Sequence, residues 1–131
     1  MSAGMLDTSV VIDWDDPVVA AALPDESAIS AVTMAELAAG PILAASPLEG
    51  ARRQFRLQQV EAAFEPIPFD VAAARSFGQV VAAVISAGRS HKGRMADLMI
   101  AAIAHANNLE LYTRNGDDFG GLESILHVVV I

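Results

Sequence analysis

The 131-residue chain carries 16 acidic against 8 basic side chains, a net charge of −8, and is 53% hydrophobic. That is enough apolar material for one sizeable core and too little positive charge for tight nonspecific nucleic-acid binding, although a local basic stripe is not excluded. With no cysteine and with His91, His105 and His127 too scattered to pair on a helix, any metal must be held by oxygen. The opening "MSAGMLDTSVVIDWDD" lacks a basic n-region, and Asp7 and Asp13 break its apolar run. We therefore expect neither signal peptide nor membrane span, but a single cytosolic domain covering 1–131.

In chain order, "GMLDT" reads as the first strand, and "SVVIDW" opens a short helix with Thr8 or Ser9 as its N-cap. Asp16-Pro17 has the chemistry of a helix start, and Asp13, Asp15 and Asp16 are placed as solvated. "SAIS" from Ser27 is a short strand, followed by a helix from Thr33 through "VTMAELAAGPILA", bent near Gly40-Pro41. Pro47 introduces a helix in which Leu57, Val60 and Phe64 keep helical spacing, Pro66 closes it, and "PIPF" is a third strand. Asp70 caps "VAAARSFGQVVAAVISA", which Gly88 ends. From Met95 the residues Leu98, Met99, Ala102, Ile103 and Ala106 recur at helical spacing, so "MADLMIAAIAHA" is a helix buried on one wide face. "LELYT" and "HVVVI" are the last strands. Alternating strands and helices, with strand runs apolar enough for burial on both faces, predict an α/β domain with a mainly parallel sheet.

That architecture gives meaning to isolated acids. Ligands of open parallel sheets bind at the carboxyl ends of the strands, and there Asp7 ends the first strand while "TRNGDDF" follows the strand that stops at Thr113. Glu36 and Asp97 open helices that can reach the same edge, so Asp7, Glu36, Asp97 and one of Asp117 and Asp118 can form a carboxylate cluster. Such a cluster repels itself unless cations neutralise it, which suits oxygen-ligated Mg²⁺ or Mn²⁺ and phosphoryl chemistry. Each acid also has a local explanation. Thr33-Met34-Ala35-Glu36 fits a capping box, Asp97 suits the positive end of a helix, and Asp117 and Asp118 suit a turn. Asp7, inside a central strand, has none, because an unsatisfied carboxylate there would carry a severe desolvation cost.

Four segments in order, "MLDTSVVI", "ISAVTMAEL", "MADLMIAAIA" and "LYTRNGDDFGGL", together resemble the PIN-domain ribonucleases, specifically VapC-type toxins of VapBC toxin–antitoxin systems. The resemblance covers essentially the whole chain. It implies a Rossmann-like α/β/α PIN fold, a Mg²⁺- or Mn²⁺-dependent endoribonuclease and a VapB-type antitoxin. Carried over by position, it makes Asp7 and Asp97 the principal metal ligands, Glu36 a ligand or a base acting on water, and Asp118 the holder of a second metal or its water shell. Asn115 stands where some members carry an acid. Thr8, Ser9 and Thr113 match small hydroxyl positions that orient carboxylates or waters, local capping being the other reading. Arg89, Lys92 and Arg94, with Arg114 next, are candidates to hold RNA phosphates, or else belong to a solvated loop. A homodimer that meets DNA only through the antitoxin is also expected. Two other classes stay in view. One is a phospho-accepting signalling domain, against which stand the missing acidic pair after the first strand and the missing Lys near the end; the other is a PIN-fold interaction module that cuts nothing.

Overall fold

The structure, a computed structural model, describes residues 2–131. Strands β1 (Ala3–Leu6), β2 (Glu26–Ala28), β3 (Glu110–Thr113) and β4 (Val128–Val130) form one sheet in the order β2-β1-β3-β4, with every pairing parallel. Among the described residues six α-helices connect them: α1 (Thr8–Ile12), α2 (Pro17–Ala22), α3 (Ala31–Leu43), α4 (Pro47–Ala63), α5 (Val71–Ser86) and α6 (Met95–Ala106). A 3₁₀ turn spans Gly116–Phe119.

Two-residue periodicity divides the strands between two cores. Met5, Leu111 and Val128, which lie side by side in register, pack with Val80 and Val84 of α5 and Leu98 to Ala104 of α6. Their neighbours Leu6, Tyr112 and Val129 pack on the opposite face with Val10, Val11, Val19, Leu37 and Val60, drawn from α1 to α4. Helices therefore cover both faces, as strands apolar on both sides require. Among the described residues no helix is long and apolar enough to cross a membrane.

Several boundaries differ from those the sequence suggested. The N-cap of α1 is Asp7, not Thr8 or Ser9. The α3 helix begins at Ala31, with Ser30 as its cap accepting the Thr33 N–H at 3.0 Å. It continues past Gly40 and Pro41 to Leu43, because a proline in the last turn removes one helical hydrogen bond and leaves the earlier turns intact. "SAIS" is a strand at Glu26–Ala28, and "PIPF" is only a bridge from Ile67 to Ser30, since two prolines leave too few backbone donors for a ladder. Asp70 does cap α5, accepting the Ala73 N–H at 2.9 Å. Gly88, at φ +75°, ends that helix with Gly88 N–H on Ile85 O and Arg89 N–H on Val84 O, a Schellman motif.

The strand order reverses direction between β1 and β3. In an open parallel sheet this is the point where connections leave to opposite sides and a crevice opens beyond the strand ends. Asp7 follows β1 directly, its N–H donating to Tyr112 O of β3 at 2.8 Å, so it stands between the two central strands at that switch point.

Candidate active site

Asp7 is buried, with 4% of its surface exposed. Its backbone carbonyl accepts Val10 N–H and Val11 N–H to start α1, and its carboxylate is left for another purpose. Oδ2 accepts the Ser9 hydroxyl at 2.7 Å and the Thr113 hydroxyl at 2.9 Å. Each hydroxyl is itself fixed by the turn after β3: Arg114 N–H donates to Ser9 Oγ and Asn115 N–H to Thr113 Oγ1, both at 3.0 Å. One carboxylate oxygen is thereby satisfied twice, and among the described residues Oδ1 receives no side-chain hydrogen bond. Asn115 contributes through its backbone; its side chain makes no hydrogen bond among the described residues.

Glu36 lies on the exposed side of α3. The capping box that would have explained Glu36 locally does not form, because Ser30 occupies the cap and Thr33 is buried in the first turn. Glu36 Oε1 instead accepts the Thr8 hydroxyl at 2.6 Å, and Thr8 Oγ1 also lies 3.0 Å from Thr33 Oγ1. Thr33 is a hydroxyl of this edge that the sequence reading used only as a cap.

Asp97 sits in the first turn of α6, half-buried. Its carboxyl is pushed up from 3.8 to about 6, first by burial and then by the carboxylates of Asp118, Asp7 and Glu36, with Arg94 opposing them. With Asp97 these are the four acids that the sequence singled out, and the charges of the other three reach Asp97 from the end of β1, from α3 and from the 3₁₀ turn. Asp117 is not among the groups that act on Asp97.

Other acids have found cations. Asp15 pairs with Arg56, Asp13 and Asp16 with Arg114, and Glu49 with Arg52 and Arg53. Among the described residues Asp7, Glu36, Asp97 and Asp118 have no such ion pair within 4.0 Å. Nor, among the described residues, do any three acidic or histidine side chains stand close enough together to enclose an ion as they are placed.

The basic side chains are less free than the sequence suggested. Arg114 Nη1 lies 2.8 Å from Asp13 Oδ2. Arg89 donates to Asp117 O at 2.8 Å, and Arg94 Nη1 to Asp117 O at 3.2 Å and Asp118 O at 3.1 Å. Of the four, only Lys92 is exposed with no side-chain partner among the described residues.

Acidic side chains placed toward the switch point of a parallel sheet covered by helices on both faces define a class, and comparison with known proteins agrees with it. The family model of the PIN domain matches residues 4–122. The chain is 36% identical to Ribonuclease VapC5 of Mycobacterium tuberculosis over 99% of its own length and 95% of that protein's. Its fold matches the crystal structure of VapBC-5 from M. tuberculosis, a member of the VapBC family of toxin–antitoxin systems, with a TM-score of 0.86 and 34% identity over 100% of both chains. FitAcB from Neisseria gonorrhoeae follows with a TM-score of 0.77 and 27% identity over 95% of both chains. The chain belongs to the PIN-domain family, as a VapC-type member.

Proposed function

We propose that this chain is a divalent-cation-dependent endoribonuclease and the toxin of a toxin–antitoxin pair. The observation that carries the reading is that four acids without ion-pair partners among the described residues lie toward one edge of the sheet, Asp97 being pushed up to about 6 by its burial first and then by Asp118, Asp7 and Glu36. Their donors are carboxylate oxygens backed by hydroxyls, with no imidazole or thiolate, and this chemistry fits a hard cation such as Mg²⁺ or Mn²⁺. Asp7 and Asp97 would hold the ion, Glu36 would serve as ligand or as base toward water, and Asp118 would hold a second ion or its water shell. When bound, the cation supplies an activated water and offsets charge developing on the scissile phosphate. The chain supplies the rest. Ser9 and Thr113 fix the angle at which Asp7 faces the crevice, Thr8 orients Glu36, and Lys92 draws the RNA phosphates toward the acids.

A VapB-type antitoxin is the proposed partner. A groove of about 680 Å³ begins at Thr8 and Glu36 and runs between α1, α3 and α4 past Ile12, Leu43 and Phe55. Those three side chains are exposed, as are Ile42 and Leu48 nearby, which suits an apolar segment of a partner. The net charge of −8 favours a basic one. A homodimer, reaching DNA only through the antitoxin, completes the proposed assembly. The test is to incubate purified, antitoxin-free protein with a panel of cellular RNAs in Mg²⁺, in Mn²⁺ and in chelator, and to map the ends. Discrete ends that vanish with chelator are expected, and cleavage indifferent to chelator would sink the reading.

A further inference from the structure

We propose that Arg94 and Arg89 form a two-arginine clamp that positions the turn bearing Asp118, and that neither is an RNA contact. The segment between α5 and α6 is shaped by two glycines in the left-handed region, Gly88 at φ +75° and Gly93 at φ +74°, each directly before one of the arginines. Arg89 enters as the last residue of the Schellman motif, and Arg94 is the N-cap of α6. From these fixed backbone positions both guanidinium groups reach the same 3₁₀ turn. Arg94 Nη1 bridges the carbonyls of Asp117 and Asp118, and Arg89 Nη2 adds a second donor to Asp117 O.

The receiving side is built to match. A Cβ on Gly120 would lie 2.7 Å from Arg89 Nη1 and 2.8 Å from its Cζ, so the guanidinium rests directly against this glycine and would have to swing aside for any larger residue. Gly121, at φ +92°, adopts a backbone that other residues rarely take, and a Cβ there would lie 3.4 Å from Arg89 Cδ. Each arginine uses one nitrogen on the turn, Arg94 Nη1 on both carbonyls and Arg89 Nη2 on one, and the planar guanidinium is pre-organised so that it loses less freedom per bond than a lysine ammonium would. Arg94 also stands three residues before Asp97, so one side chain ties the first turn of α6 to the loop that carries Asp118, and sets the spacing of two acids.

Rigidity of the turn in metal-free protein is the first readout. Backbone order parameters for Gly116 to Gly121 in Arg94→Gln should fall from about 0.85 to below about 0.6, with β1 unchanged and Arg94→Lys intermediate. Turnover is the second, and it rests on the nuclease reading. Arg94→Gln should lower kcat at least about tenfold with KM for RNA held within about twofold, whereas Lys92→Gln should raise KM and spare kcat. If Arg94→Gln does not fold, Arg94→Lys decides on the same two readouts. A turn that stays rigid in the variants, or a loss confined to KM, would overturn the clamp. If wild-type protein cut no RNA, the nuclease reading would fail and the order parameters alone would still decide the clamp.

Discussion

Asp7 offers the crevice one carboxylate oxygen, because Ser9 and Thr113 occupy the other. Replacing it with asparagine keeps an acceptor for both hydroxyls and removes only the charge. Asp7→Asn and Asp97→Asn should therefore each abolish RNA cleavage while circular dichroism and melting remain those of a folded protein. Cleavage near the wild-type rate by either variant would show that the acids are misassigned. Asp97 adds a dependence on pH. Its carboxyl holds a proton more tightly folded (about 6) than at its ordinary 3.8. Between those values the folded chain binds more protons than the unfolded one, so stability falls as pH rises and stays at the lower level above about 6. In chelator at pH 7.5, Asp97→Asn should be more stable than wild type by about 1 kcal/mol, a figure already reduced for the solvent reaching a half-exposed group. The difference should vanish near pH 4, and thermal melts across the range check it. In the last loop, Asp118→Ala should cost at least about tenfold more activity than Asp117→Ala, since only Asp118 acts on Asp97. Equal losses would mean that the turn is in another register. Asp7 and Asp97 stood out in the sequence because each interrupts an apolar run, whereas Asp118 was set apart from Asp117 only by the family pattern of its loop. The partners of Arg89, Arg94 and Arg114 were not, since two of them bind backbone carbonyls, which every residue carries, and the third pairs with Asp13 across a separation of 101 residues.

At the level of the elements, β1 depends on close packing as much as on pairing. Gly4 lies under the Tyr112 ring, and a Cβ there would overlap the ring and lie 3.2 Å from Pro24 Cγ. Gly4→Ala should destabilise the fold by about 1–3 kcal/mol, because Tyr112 is 8% exposed and has little room to retreat. A denaturant titration that left the midpoint unchanged would refute this. The strands and helices themselves were readable where periodicity was strong, as in α6, whose residues Ile100 to Ala104 are wholly buried. They were misread where a polar residue could serve two purposes. Thr33 and Glu36 have the spacing of a capping box, but Ser30, three residues earlier, takes the cap, and Glu36 is left to Thr8. Ile67 pairs with Ser30 in one bridge and goes no further, a limit set by Pro66 and Pro68 that local apolar character concealed.

For the molecule as a whole, charge and groove should act together on the partner. A basic side chain of an antitoxin peptide lying in the α1, α3 and α4 groove would meet Glu36 at its end and reach from there toward Asp7, in competition with the cation. By calorimetry, such a peptide should bind more weakly as Mg²⁺ is raised, and Asp7→Asn should bind it less well. Affinity indifferent to both would mean that the partner covers the groove and leaves the acids alone. The bond from Thr113 to Asp7 has a consequence of another kind. It joins residues 106 positions apart, and β3 must pair with β1 before it can form. At roughly 5–20 residues per second, synthesis needs about 5–20 s to travel from one residue to the other. Until then Asp7 lacks both Thr113 and the N–H groups that fix the two hydroxyls, and the sheet lacks its central pair. The carboxylate at the centre of the proposed site is therefore set in place only when nearly the whole chain has left the ribosome.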